Sequence, residues 1–111
     1  MNVSVDKKNN RVFERFTARF PAKIKDTRDE FGTNVFLRDI SGQGVNVTSK
    51  DRMYVNDKVA LEINVPDQGY PMTLRGEVVW TKQEESNFWN VGVKFHKVDL
   101  MHVARLYRQV V

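Results

Sequence analysis

With 111 residues, 41% hydrophobic and 29% charged, the chain has the composition of one globular domain with a single core, not of a disordered or multidomain protein. The absence of cysteine excludes a disulfide framework, thiolate metal sites and a cysteine nucleophile. The formal charge of +4 is uneven: residues 1–28 carry eight cationic against three acidic side chains, and the remaining 83 carry ten against eleven, which suits either an anionic partner near the N-terminal quarter or a solvated basic tail with no fixed partner.

In chain order, residues 1–10 are polar and aperiodic and read as a flexible tail ahead of one domain over 11–111. They lack the apolar core of a signal peptide, and no apolar run reaches the roughly 18 residues of a membrane span, so a cytoplasmic protein is expected. From Phe16 to Ile24 apolar and polar residues alternate strictly, the mark of a half-buried strand, and Pro21 within it predicts an edge position or a bulge. "DTRDEFGTN" reads as a loop or hairpin, "VFLRDI" as a second strand, and "SGQG" as a turn into "VNVTS", with Val45 and Val47 inward. After a polar connection turning at Asn56-Asp57, "KVALEINVP" puts Val59, Leu61, Ile63 and Val65 inward. The longest strand, "MTLRGEVVWTK", puts Met72, Leu74, Val78 and Trp80 on one inward face. "QEESNFWN" is a hairpin loop before "VGVKF". The period then changes: Asp99 can cap a helix, and Val103, Leu106, Tyr107 and Val110 form one helical stripe. About six short antiparallel strands followed by one helix define an all-β barrel or sandwich with a helix over an open end or face.

Catalysis finds no footing. His96 and His102 are the only histidines, so neither a metal site nor a catalytic base is indicated. Ser41 does not lie in a G-x-S-x-G elbow, and Glu84-Glu85 is a charged hairpin tip. No enzyme, metal or cofactor is expected.

Binding has more to stand on. Arg11, Arg15 and Arg19 recur every fourth residue, and an arginine fork suits phosphate oxygens and the guanine edge. Asp39 can accept from guanine N1–H and N2–H together, and Ser41 can donate to phosphate. Gly42 and Gly44 can take positive φ and admit a ligand to the backbone. By itself "RDISGQG" suits a turn capped by its own Asp and Ser better than it suits a binding site.

The two stretches together carry a resemblance. "RVFER", an R-x-x-x-R with Arg11 and Arg15, precedes "DISGQG", a D-x-S-x-x-G with Asp39, Ser41 and Gly44. With "RFTARFPAKIK", "GEVVWTK", "NVGVKF" and the terminal helix, the chain resembles the PilZ domain family over roughly residues 10–110. Arg11 and Arg15 are chosen over Arg15 and Arg19 because Arg19 falls inside the alternating strand. The resemblance implies a six-stranded antiparallel β-barrel with a C-terminal α-helix that acts as a receptor for cyclic di-GMP. It implies that Arg11 and Arg15 contact phosphates and guanine edges, that Asp39 and Ser41 fix a guanine, and that Gly44 shapes the turn. Trp80, at the end of the long strand, is a further candidate for stacking on a base. Ligand would order the N-terminal arginine segment and so relay the signal to a partner protein. Family members often carry another basic residue before the first motif arginine; here it is Asn10, which bears on ligand stoichiometry. Two alternatives are a barrel that binds RNA or single-stranded DNA through the basic segment with Phe88 and Trp89, and a PilZ-like interaction domain without ligand. The inward parity of most aromatics and the slightly acidic remainder of the chain make nucleic acid the weaker reading.

Overall fold

The alternating segments become strands in a computed structural model of the chain, described over residues 14–26, 29–67, 69–84, 87–97 and 100–110. The strands are β1 (Phe16–Thr17), β2 (Pro21–Asp26), β3 (Asp29–Ile40), β4 (Gly44–Ser49), β5 (Lys58–Ile63), β6 (Met72–Gln83) and β7 (Trp89–Phe95), followed by helix α1 (Leu100–Tyr107). All pairings are antiparallel, in the order β1-β3-β2-β5-β6-β7-β4, and β3 pairs with β4 to close the ring. β1 and β2 pair with β3 one after the other, so they form one interrupted stave of a closed six-stranded barrel.

The interruption explains Pro21. Between the pairs Thr17↔Asp39 and Pro21↔Phe36 the first stave holds one residue more than β3. Within that break the Phe20 N–H donates back to the Ala18 carbonyl at 3.1 Å. Proline thus sits where the ladder is already irregular, as a residue without an N–H should. Burial still alternates through the break, with Ala18, Ala22 and Ile24 inward. β3 begins at Asp29, so most of the segment read as a loop or hairpin is strand paired with β2. The reason is continued pairing: after an irregularity past Ile24↔Thr33, the ladder resumes at Asp26↔Asp29.

The barrel is filled by side chains from every stave, among them Leu37, Val47, Leu61, Met72, Val78 and Val91, all buried. α1 caps the core with Val103 and Leu106, both fully buried. Full burial of one such side chain stabilises the fold by about 1.5–3 kcal/mol. Tyr107 meets Phe16 edge-on, ring centroids 5.0 Å apart, which ties the helix to β1. Val110 lies past the helix end and is exposed, so the apolar stripe is shorter than expected. Asp99 lies outside the described residues.

A clamp fixes the helix to the β5–β6 connection. Arg105 Nε and Nη2 donate to the two oxygens of Asp67 at 2.6 and 2.8 Å, and Nη2 also reaches the Tyr70 carbonyl at 2.7 Å. The Arg105 fork first, and then the Gly69 N–H at 2.9 Å, hold the Asp67 carboxyl well below the usual carboxylate range. A depressed carboxyl stabilises the fold above its ordinary pKa of 3.8, and that contribution is lost as pH falls toward the lowered value. Asp67→Asn should therefore melt below wild type by a gap that is constant from neutral pH down to about pH 5 and that closes in stronger acid. Thermal melts across pH check this; a gap that widens on acidification would contradict it.

Candidate functional site

Two bulges shape the outer face of the barrel. In β3, Leu37 and Ile40 are both buried although three residues apart. The β3–β4 register explains it: Leu37↔Val47 is followed by Asp39↔Asn46, leaving Arg38 as an extra residue. In a regular strand Asp39 would share the parity of Leu37 and face the core. The bulge instead puts Arg38 and Asp39 together on the outside.

β6 repeats the device. Val78↔Val93 is followed by Trp80↔Gly92, with Val79 extra. Trp80 is consequently 42% exposed on the outer face, which corrects the inward position expected from alternation. Its indole lies over Gly92, where any added Cβ would collide with the ring. Glycine here provides the seat for the indole.

The register then aligns one outer row across five strands: Thr17, Asp39, Asn46, Gly92 and Trp80, from β1, β3, β4, β7 and β6. With the indole over β7, the distance from ring to carboxylate spans about two strand spacings, roughly 10 Å.

Asp39 is the polar centre of this row. Its Oδ1 accepts from Arg15 Nη1 at 2.5 Å and from Asn46 Nδ2 at 3.0 Å. Its Oδ2 has no donor among the described residues. Arg15 sits just ahead of β1, and the ion pair is open to water, with side-chain exposures of 45% and 27%. Such a pair contributes about 0–1 kcal/mol and is readily exchanged.

Ser41 begins the turn that follows β3. Its N–H donates to the Gly44 carbonyl at 2.8 Å, its Oγ donates to the same oxygen at a long 3.4 Å, and Oγ accepts from the Gln43 N–H at 3.3 Å. Positive φ is not what the turn requires of Gly42 or Gly44. Gly44 is needed for space, because a Cβ there would strike the Val93 carbonyl of β7.

Arg15 and Asp39 thus touch, Ser41 and Gly44 occupy the adjoining turn, and Trp80 closes the far end of the row. Arg11 lies outside the described residues. Asn46 and Gly92 were not named from the sequence, although a glycine between the inward residues Val91 and Val93 marks a close approach on the outer face. Of the two aromatics named for nucleic acid, Phe88 is exposed. Trp89 packs against the core with the Arg52 guanidinium 5.0 Å from its ring centre. Among the described residues no three His, Asp or Glu side chains gather as they would around a metal ion, and no helix is long and apolar enough to cross a membrane.

Fold and site together define a small closed antiparallel barrel with a helical cap and a polar row, built by bulges, on its outer face. The PilZ domain model matches residues 9–111, and the chain belongs to the PilZ domain family. Among solved structures it is similar to the Bacillus subtilis inhibitor of motility MotI/DgrA, with a TM-score of 0.64 and 16% identity over 88% of this chain and 50% of that one. It is also similar to the PilZ domain of CeSA from a cellulose-synthesising bacterium, with a TM-score of 0.59 and 13% identity over 87% of this chain and 94% of that one. The chain therefore spans about half the length of MotI/DgrA, and at these identities the likeness is one of fold. No curated protein matches the sequence significantly.

Proposed function

We propose that the chain is a receptor domain for cyclic di-GMP that reports ligand binding to a partner protein in the cytoplasm. The observation that carries this reading is the outer row itself: an arginine, a carboxylate with one oxygen that has no donor among the described residues, and an indole share one exposed surface. Membership of the PilZ domain family supports it independently.

In this reading Asp39 accepts guanine N1–H and N2–H, a donor pair that adenine lacks. Oδ2 is ready for one of them, and Oδ1 becomes available as Arg15 turns to a phosphate. The exchange is favourable in magnitude. The exposed Arg15–Asp39 pair is worth about 0–1 kcal/mol, whereas each charge-assisted hydrogen bond to the ligand contributes about 1.5–3 kcal/mol. Asn46 keeps the carboxylate oriented while its arginine leaves. Ser41 Oγ gives up only a 3.4 Å contact to donate to phosphate. Gly44 keeps that turn close against β7, and Trp80 offers a ring face to a base. Arg11 supplies the second fork of the motif, and ordering of the N-terminal segment provides the signal.

Calorimetric titration tests the reading. Cyclic di-GMP should bind with micromolar affinity or tighter, and GMP much more weakly. A short oligonucleotide should show no steeply salt-dependent binding. Heats from the oligonucleotide alone would contradict the proposal.

A further inference from the structure

A second outer row runs beside the first. Pro21, Phe36, Thr48, Asn90 and Lys82 are cross-strand partners on β2, β3, β4, β7 and β6. Thr48, Asn90 and Lys82 each follow or precede a member of the Asp39 row by two residues, so the rows lie about 7 Å apart. Phe36 is 62% exposed in the middle of this second row. Leaving such a ring in water forfeits about 1.5–3 kcal/mol relative to burial.

The ring stands in a groove of about 690 Å³ whose walls include Pro21, Ala22, Thr48, Asp51 and Phe88. An adjoining hollow of about 430 Å³ shares Phe36, Thr48, Lys50 and Phe88 and adds Arg19 and Arg38. Arg38 is held by Nη1 on Asn90 Oδ1 at 2.9 Å. Asn90 also takes the Thr48 hydroxyl on that oxygen, and its own amide donates to Glu84. Among the described residues, Arg19 and Lys50 make no ion pair and Asp51 is the only carboxylate lining either hollow.

We propose that this groove docks an acidic segment of a partner protein, with an aromatic or aliphatic anchor seated between Phe36 and Phe88 and its carboxylates on Arg19 and Lys50. Charge complementarity selects the occupant. Among the described residues that line the two hollows, three cations meet one acidic group, which suits a peptide with a few carboxylates. A nucleic acid needs cations that track a continuous run of phosphates, and Asp51 would repel them.

The groove adjoins the candidate ligand site through two consecutive residues of the β3 bulge. Arg38 anchors to the second row and Asp39 to the first, so a ligand that re-seats Asp39 acts on the residue at the rim of the groove. This link to ligand rests on the receptor reading; the groove as a docking surface does not.

Fluorescence anisotropy with short labelled peptides tests it. The probe places Phe and Leu among Glu, a counterpart replaces each Glu by Lys, and oligothymidylate serves as the nucleic-acid arm. The Glu peptide should bind, and Phe36→Ser and Lys50→Glu should each weaken it about tenfold or more. Both variants should bind cyclic di-GMP as wild type does by calorimetry. The proposal is overturned if the Lys peptide or oligothymidylate binds as well as the Glu peptide, if neither variant weakens binding, or if sedimentation shows a second copy of the chain covering Phe36. Peptide binding without cyclic di-GMP binding would remove the receptor reading and leave the groove standing; the reverse would remove the groove alone.

Discussion

Asp39→Ala is expected to lower the affinity for cyclic di-GMP by about two orders of magnitude while the barrel stays folded. The carboxylate is to accept two hydrogen bonds from guanine, each worth about 1.5–3 kcal/mol in a charge-assisted pair. A net loss near 3 kcal/mol is about a hundredfold in affinity. The fold loses little, because Asp39 lies on the outside and its ion pair to Arg15 is open to water. Arg15→Ala should weaken binding by about tenfold to a hundredfold through the phosphate contact. The double variant carries further information. If binding breaks the Arg15–Asp39 pair, each single variant has already lost that pair in the free protein. The double variant then loses more affinity than the two singles summed, by up to about 1 kcal/mol. Strictly additive losses would mean that the pair persists in the complex. Asp39→Ala binding as tightly as wild type would remove Asp39 from the site.

Trp80→Ala carries the second large effect. Base stacking on an aromatic side chain contributes about 1–3 kcal/mol, so its removal should weaken binding about tenfold. Gly92→Ala should reproduce part of this loss with the ring still present. The new Cβ collides with the indole, and the ring must swing away from β7. Trp80 is one of two tryptophans, and Trp89 lies against the core. Ligand should therefore change the emission of wild type and leave that of Trp80→Ala nearly unchanged. Unaltered affinity in Trp80→Ala would reduce the indole to a cover for Gly92.

The limits of alternation explain what was legible before the structure. Where a strand is regular, parity names the core residue by residue. Val59, Leu61 and Ile63 face inward as their spacing requires, and so do Val91, Val93 and Phe95. A bulge adds one residue and inverts the parity beyond it, yet neither Arg38 nor Val79 has a side chain that announces the insertion. Simple alternation therefore places Trp80 in the core, whereas it emerges on the surface. Asn46 was visibly an outward polar residue of β4, but its bond to Asp39 depends on a register that the β3 bulge sets. The motif residues Asp39 and Ser41 were legible as a pair, whereas the row they belong to exists only after strands distant in sequence are brought together.

The central claim, that this row is a cyclic di-GMP site, is tested most directly by a chemical-shift titration of the isotope-labelled chain. The account predicts that saturating ligand shifts the backbone amides of Arg15, Asp39, Ser41, Gly44, Asn46 and Gly92 and the indole N–H of Trp80, and leaves those of β5 nearly still. No shifts at saturation, or shifts confined to β5 and α1, would contradict it.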